Sequence, residues 1–247
     1  MLNKKISVII PCFNEGRTIG QNIRQINQYL KETIAVYEII AVNDGSRDNT
    51  LEELQRTQKE LPLKIISHPQ NEGKGKVVRD GILSSRHEIV MFLDADLAIP
   101  IEELEKFLVA IDQGYDLVVA SRFVPGLKVL CRVLWYRKIM ERVFRLLRMI
   151  ILNNWKVQDT QCGFKVFRAS VARKIFPMAT VKRFAFDAEI IFIAKKFGYS
   201  IKELPVILQN PERSHIRLFR DPLNMFFSLL EIRWNDLTRK YKWKQNA

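Results

Sequence analysis

The chain has 247 residues, 47% of them apolar and 27% charged, which excludes a disordered polypeptide and supplies a core for one large α/β domain with an appendage. Lysine and arginine number 40 against 27 acids, a net charge of +13, so an anionic partner is expected: nucleic acid, a membrane surface or a phosphorylated substrate. Cys12, Cys131 and Cys162 are odd in number and lack C-x-x-C spacing, which excludes a disulfide framework and a zinc site and fits a reducing compartment.

Short β-branched runs predict strands at Ile6–Pro11, Tyr37–Asn43, Leu63–Ser67, Glu88–Leu93 and Leu117–Ser121. Between them, Ile19, Ile23, Ile26 and Leu30 recur at helical spacing, as do Leu104, Phe107, Leu108 and Ile111 after Pro100. Alternation of this kind predicts a mainly parallel sheet with helices on its faces and functional groups at the strand ends. The first apolar run starts too near Met1 for a secretory signal. No run approaches the ~18 apolar residues of a spanning helix, so an integral membrane protein is not expected.

From Arg122 to Lys156 the chain carries nine basic residues and one acid, Glu141. Basic and apolar residues mix over 124–156 (Arg132, Arg137, Lys138, Arg142, Arg145 and Arg148 among Leu134, Trp135, Ile139, Val143, Leu146 and Ile150), which predicts a cationic helix suited to an anionic membrane surface. A helix packed on its own sheet with a solvated basic face is the competing interpretation. Asp221-Pro222 is a helix start, and Leu223, Phe226, Phe227, Leu230 and Trp234 follow as an apolar stripe that fits core packing as well as lipid. Arg239, Lys240, Lys242 and Lys244 make a basic tail. The expected organisation is a catalytic domain over 1–217, including the basic segment, and a C-terminal helix and tail over 218–247.

Polar residues follow each predicted strand: Asn14-Glu15, Asn43-Asp44-Gly45-Ser46, Asn71 to Lys76, Asp94-Ala95-Asp96 and Arg122. Singly, each fits a turn or a loop. Together at one sheet edge they describe a nucleotide-diphosphate pocket. Two carboxylates at a strand end invite a divalent cation and a phosphate-bearing substrate. Asp44 is suited to accept from the ring N–H of a base, and the Gly-Lys-Gly-Lys run to approach phosphate closely. Neither G-x-x-x-x-G-K-[ST] nor G-x-G-x-x-G is present, which excludes a P-loop and weighs against a dinucleotide-binding fold.

Taken together, VIIPCFNE (8–15), VNDGSRDNT (42–50), NEGKG (71–75), FLDADL (92–97), ASRF (120–123), DTQCGFKVF (159–167) and FAFDAEI (184–190) resemble family 2 glycosyltransferases, and most closely their polyprenyl-phosphate branch. The resemblance implies a GT-A (Rossmann-like) mixed sheet flanked by helices, with appended amphipathic interface helices. It further implies an inverting transferase that moves a sugar, glucose from UDP-glucose by preference, onto a polyprenyl or dolichyl phosphate. By analogy Pro11, Asn14, Glu15 and Asp44 hold the nucleoside with Lys74 nearby, and Asp94 and Asp96 hold Mg²⁺ or Mn²⁺. Arg122 faces a phosphate. Asp159, Gln161, Lys165, Asp187 and Glu189 match the sugar and acceptor side, and Arg137, Arg213 and Arg217 are further phosphate candidates. Two departures stand out: Ala98 where mannose synthases often carry a metal-assisting Gln, and Ser214-His215 where Ser is commonly followed by Lys or Arg.

Loss of a nucleoside diphosphate builds negative charge that a divalent ion neutralises. A phosphate acceptor is already a nucleophile at neutral pH, whereas a saccharide or lipid hydroxyl needs a base, and Asp187 could serve. Both acceptors remain open on sequence. Peripheral attachment to the cytosolic face of a membrane is expected. Nucleic-acid binding is not, since carboxylates stand where phosphates would pass.

Overall fold

All five predicted strand runs are strands in the computed structural model, which describes residues 1–130, 135–153, 156–209 and 220–242, with backbone alone at 135–139 and 220–222. In chain order the elements are β1 (Leu2–Cys12), α1 (Ile19–Thr33), β2 (Ile34–Asp44), α2 (Thr50–Gln58), β3 (Leu63–His68), α3 (Lys74–Leu83), β4 (Ile89–Leu93), α4 (Leu104–Asp112) and β5 (Leu117–Ser121). There follow β6 (Lys128–Val129), α5 (Trp135–Ile151), β7 (Phe164–Arg168), α6 (Ala169–Ile175), α7 (Phe186–Lys196), β8 (Ile201–Pro205), β9 (Ile207–Leu208) and α8 (Arg220–Leu237). β1 and β2 begin earlier than their apolar runs because they pair from Leu2 and Ile34 onward, and backbone pairing does not require apolar side chains.

Among the described residues one sheet has the order β3-β2-β1-β4-β7-β5-β8. The strands pair in parallel except β7, which runs antiparallel to both β4 and β5. This is the mainly parallel, mixed sheet expected from the sequence, and the reversed strand has a functional consequence. The N-terminal end of β7 lies at the edge where β4 and β5 finish, so the segment 159–163 is delivered among their terminal residues. β6 and β9 form a separate parallel pair.

Every residue of β4 and β5 is buried, as strands covered on both faces must be. One face packs under α1 and α4 through Ile19, Ile23, Ile26, Leu30, Leu104, Phe107 and Leu108. The other packs under α3, α6, α7 and α8, with Phe92 against Phe167 and Phe186. Cys12 and Cys162 are buried free thiols, and burial pushes Cys162 up to about 12, so it is an inert packing residue. Cys131 lies outside the described residues.

The C-terminal helix is tied into this core. Leu229 and Ile232 of α8 are buried in it, Asn235 donates to Thr180 Oγ1 (2.9 Å), and the Tyr241 hydroxyl donates to Glu189 (2.8 Å). Glu189 also accepts from the backbone N–H groups of Thr180 (2.9 Å) and Val181 (2.8 Å). These bonds join α7 to α8 and to the loop before α7.

The two helices read as interface elements differ from expectation in which side they show. On α5, Arg148 is 1% exposed and donates to Val157 and Gln158 carbonyls, while Arg145 donates to Gln158 Oε1 and stacks over Phe123. Those cations face inward. Val143, Leu146 and Ile150, spaced to share one side of the helix, face out. On α8, Leu223, Phe227, Leu230, Trp234 and Leu237 are likewise exposed, so the predicted stripe is not the buried face. α5 and α8 pack on each other. Among the described residues no helix is long and apolar enough to cross a membrane.

Candidate active site

Strand geometry assembles the site from the C-terminal ends of β1, β2, β4 and β5. After β1, Asn14 adopts the left-handed conformation (φ 57) that asparagine tolerates better than most residues. There its backbone N–H donates to Ser46 Oγ (3.0 Å) and its Oδ1 accepts from Arg47 N–H (2.9 Å). Glu15 N–H donates to Thr50 Oγ1 (2.8 Å), and Pro11 is half-buried near the end of β1, just before the buried Cys12. The first two predicted groups are thus brought together.

Asp44, at the end of β2, is 3% exposed and pins the next loop. Its carboxylate accepts from Glu72 N–H (2.7 Å), Gly73 N–H (3.0 Å) and Asn71 Nδ2 (2.8 Å). Gly73 N–H also reaches the other carboxylate oxygen (3.2 Å), so the loop engages both oxygens of Asp44. Burial raises its pKa, while the bonds from Glu72 and Gly73 and the charges of His68 and Arg183 oppose the rise.

The glycine-lysine run works differently from the prediction. α3 begins at Lys74, so Gly75 lies inside a helix. A Cβ at Gly73 would meet the Lys182 carbonyl oxygen at 2.5 Å and one at Gly75 would meet Phe186 Cβ at 2.6 Å. These glycines admit the 181–186 segment rather than phosphate. Lys76 turns away to pair with Asp80, so only Lys74 reaches the carboxylates.

Lys74 Nζ sits 2.5 Å from Asp94 Oδ1. Burial works against its charge, but Asp94, Asp187 and Asp96 outweigh it and the lysine is held protonated. Asp94 is 38% exposed at its side chain and lies against Gly163, where a Cβ would come within 1.9 Å of Oδ2. Gly163 therefore forms a cradle that any side chain would fill. Asp96 accepts from Ala98 N–H (3.0 Å), and the next residue, Leu97, is forced to φ 50. A left-handed leucine costs roughly 1–2 kcal/mol, strain of a kind that collects at functional sites. Burial first and then the charge of Asp94 raise the Asp96 pKa, opposed by the Ala98 N–H and the charge of Lys74.

Beneath these groups lies a pair of opposite charge. Lys165, on β7 and 0% exposed, pairs with Asp187 at the start of α7, donates to the Cys162 carbonyl (2.7 Å) and faces the Phe92 ring. Burial raises the Asp187 pKa against the pull of Lys165 and Lys74.

Arg122, at the end of β5, is bound by Asp159: backbone N–H (3.0 Å) and Nε (2.7 Å) to Oδ2, and Nη2 to Oδ1 (3.1 Å). Glu141 of α5 accepts from Nη1. Burial tends to raise Asp159, yet the charge and bonds of Arg122 prevail and hold its carboxyl below the usual range. Asp159 Oδ1 accepts from Gln161 N–H (3.0 Å), and its own N–H donates to Glu203 (2.9 Å). The segment from Asp159 to Gly163 thus grips Arg122 at one end and cradles Asp94 at the other. Arg213, Ser214, His215 and Arg217 lie outside the described residues, as does the side chain of Arg137.

Gly163 and Glu141 are the site residues that strand-end reasoning missed. Gly163 gave no local signal. Glu141 did, as the lone acid in a basic run.

The sequence model of glycosyl transferase family 2 matches residues 7–176. The chain belongs to glycosyl transferase family 2. A dolichyl-phosphate beta-glucosyltransferase of Trichomonas vaginalis is 33% identical over 80% of this glycosyltransferase and 62% of its own length. The human dolichyl-phosphate beta-glucosyltransferase is 30% identical over 98% of the chain and 79% of its own. The chain therefore spans somewhat under two thirds of the first relative and about four fifths of the second. A solved structure of glucosyl-3-phosphoglycerate synthase from Mycobacterium tuberculosis, in complex with Mn²⁺, UDP and phosphoglyceric acid, superposes with a TM-score of 0.65 at 18% identity, covering 98% of this chain and 80% of that one. That likeness establishes the GT-A fold of the mixed seven-stranded sheet.

Proposed function

We propose that this glycosyltransferase moves glucose from UDP-glucose to the phosphate of dolichol or a related polyprenol, with inversion, while attached peripherally to the cytosolic face of a membrane. One observation carries the proposal: the segment Asp159–Gly163 joins a carboxylate pair suited to a cation and a diphosphate to an arginine suited to a second phosphate. The relatives' printed names, dolichyl-phosphate beta-glucosyltransferase, supply the sugar and the acceptor class.

The residues fit a hard divalent cation, Mg²⁺ or Mn²⁺. Asp94 and Asp96 offer oxygen donors whose mutual repulsion a cation relieves, and Gly163 leaves space for the Asp94 carboxylate. Among the described residues no group of three or more His, Cys, Asp and Glu could hold a metal, so diphosphate and water would complete the ligand set. When bound, the ion neutralises charge on the departing UDP as a Lewis acid. Lys74 adds positive charge beside Asp94 on the leaving-group side. Asp44 and the Asn14–Glu15 turn hold the nucleoside. Arg122 orients the acceptor phosphate, which needs no base because it is already anionic. Asp187, tied to Lys165, then acts by fixing charges beneath the site rather than by taking a proton.

The test is transfer from radiolabelled UDP-glucose to polyprenyl phosphate and, separately, to free polyprenol. Label in lipid only with the phosphate is expected. Equal transfer to the alcohol, or none from UDP-glucose, overturns the proposal.

The outward apolar residues of α5 and α8 supply the membrane contact, with Arg142, Arg239, Lys240 and Lys242 exposed on or beyond the same helices for anionic headgroups. Replacing Phe227 and Trp234 together by serine is expected to weaken sedimentation with phosphatidylserine vesicles at least about tenfold, since burying each ring in lipid contributes ~1.5–3 kcal/mol. Unchanged binding would remove these helices from the contact.

A further inference from the structure

Asp159 takes Nε, one N–H of Nη2 and the backbone N–H of Arg122, so Nη1 is the guanidinium nitrogen it does not touch. Glu141 accepts from that nitrogen and holds its charge. The two carboxylates differ in kind. Asp159 has a side chain 1% exposed and is locked by further bonds to Gln161 and Glu203, whereas Glu141 is 33% exposed at its side chain and holds Arg122 through Nη1 alone. The first is a fixed part of the site and the second is exchangeable.

We propose that Glu141 is a specificity-determining residue: its carboxylate holds the Nη1 end of Arg122 until an acceptor phosphate exchanges for it. A neutral hydroxyl offers a guanidinium nothing in place of a carboxylate, whereas a phosphate dianion offers more charge and more acceptor oxygens. Once displaced, Glu141 has a partner at hand. Arg145 lies four residues on along α5, a spacing at which Glu and Arg side chains meet, and its guanidinium, like that of Arg122, lies against the Phe123 ring. α5 also carries the outward Val143, Leu146 and Ile150. Exchange at Glu141 thus takes place on the helix proposed to lie against the lipid that delivers the acceptor.

Glu141 plays this part only if the acceptor is a phosphate, as proposed above. In Glu141→Gln the acceptor no longer competes with a charge, so KM for polyprenyl phosphate is expected to fall roughly two- to fivefold, the span of a partly exposed ion pair. kcat and the KM for donor should stay within about twofold. Inorganic phosphate, which probes the guanidinium without a lipid tail, should inhibit competitively against acceptor, with an inhibition constant lowered by a similar factor. A KM for acceptor that rises or holds shows that Glu141 positions Arg122 or merely packs, and overturns the proposal. Should Glu141→Gln fail to fold, Glu141→Asp decides: its shorter arm reaches Nη1 less well, so KM must fall, and an unchanged value is equally fatal. If the wild type uses no polyprenyl phosphate, the phosphate-acceptor reading fails instead, a result distinct from normal wild-type turnover with no gain in the variant.

Discussion

Replacing Asp94 and Asp96 together by asparagine is expected to reduce sugar transfer about a thousandfold or more while leaving a folded protein. Charge neutralisation at a departing diphosphate is worth several kcal/mol, and each 1.4 kcal/mol is tenfold in rate. Stability should not fall in step. Asp96 is buried beside a like charge, and removing that repulsion offsets the loss of the Asp94–Lys74 pair. The measurement is kcat under saturating Mg²⁺ or Mn²⁺, with the thermal midpoint recorded on the same preparations. Retained turnover in the double variant would show that these carboxylates do not hold the metal on which transfer depends. A midpoint that collapses along with activity would mean that they serve the fold.

Lys165→Met is expected to produce the largest loss of stability from a single change. The ammonium and the Asp187 carboxylate are both nearly inaccessible, and removing one partner leaves the other charged and unpaired in the core. Such losses run to about 3–5 kcal/mol, which for a domain of this size lowers the thermal midpoint by roughly 10 °C. The double variant Lys165→Met with Asp187→Leu should recover most of that midpoint, because two apolar side chains replace a costly pair. It should not recover activity, since Lys74 then loses one of the charges that hold it protonated. A double variant no more stable than the single one would show that the cost comes from packing rather than from the orphaned charge.

Much of the architecture could be read without coordinates. Ile6–Pro11, Glu88–Leu93 and Leu117–Ser121 are strands because short apolar runs ending in polar residues have few other stable uses, and their terminal groups were correctly placed at one edge. β7 was not legible as a reversed strand. Its sequence, FKVFR, carries a lysine that pairs with Asp187, twenty-two positions away in sequence and adjacent in space. The glycine run was also misleading. Gly73 and Gly75 have the composition of a phosphate loop, and their neighbours turn out to be Lys182 and Phe186.

The sequence by itself determined the family, the strand-helix order and the identity of the carboxylates, lysine and arginine at the strand ends. These are properties of local runs and of motifs whose side chains carry their chemistry with them. Tertiary structure alone decided that Glu189 bonds to the loop before α7 and to Tyr241, that Arg145 and Arg148 face inward while α5 and α8 turn apolar residues outward, and that Glu141 sits on Arg122. Periodicity shows that a helix has two unlike sides. Which side is buried, and which charge meets which, depends on the elements packed against it, and those contacts join residues far apart along the chain.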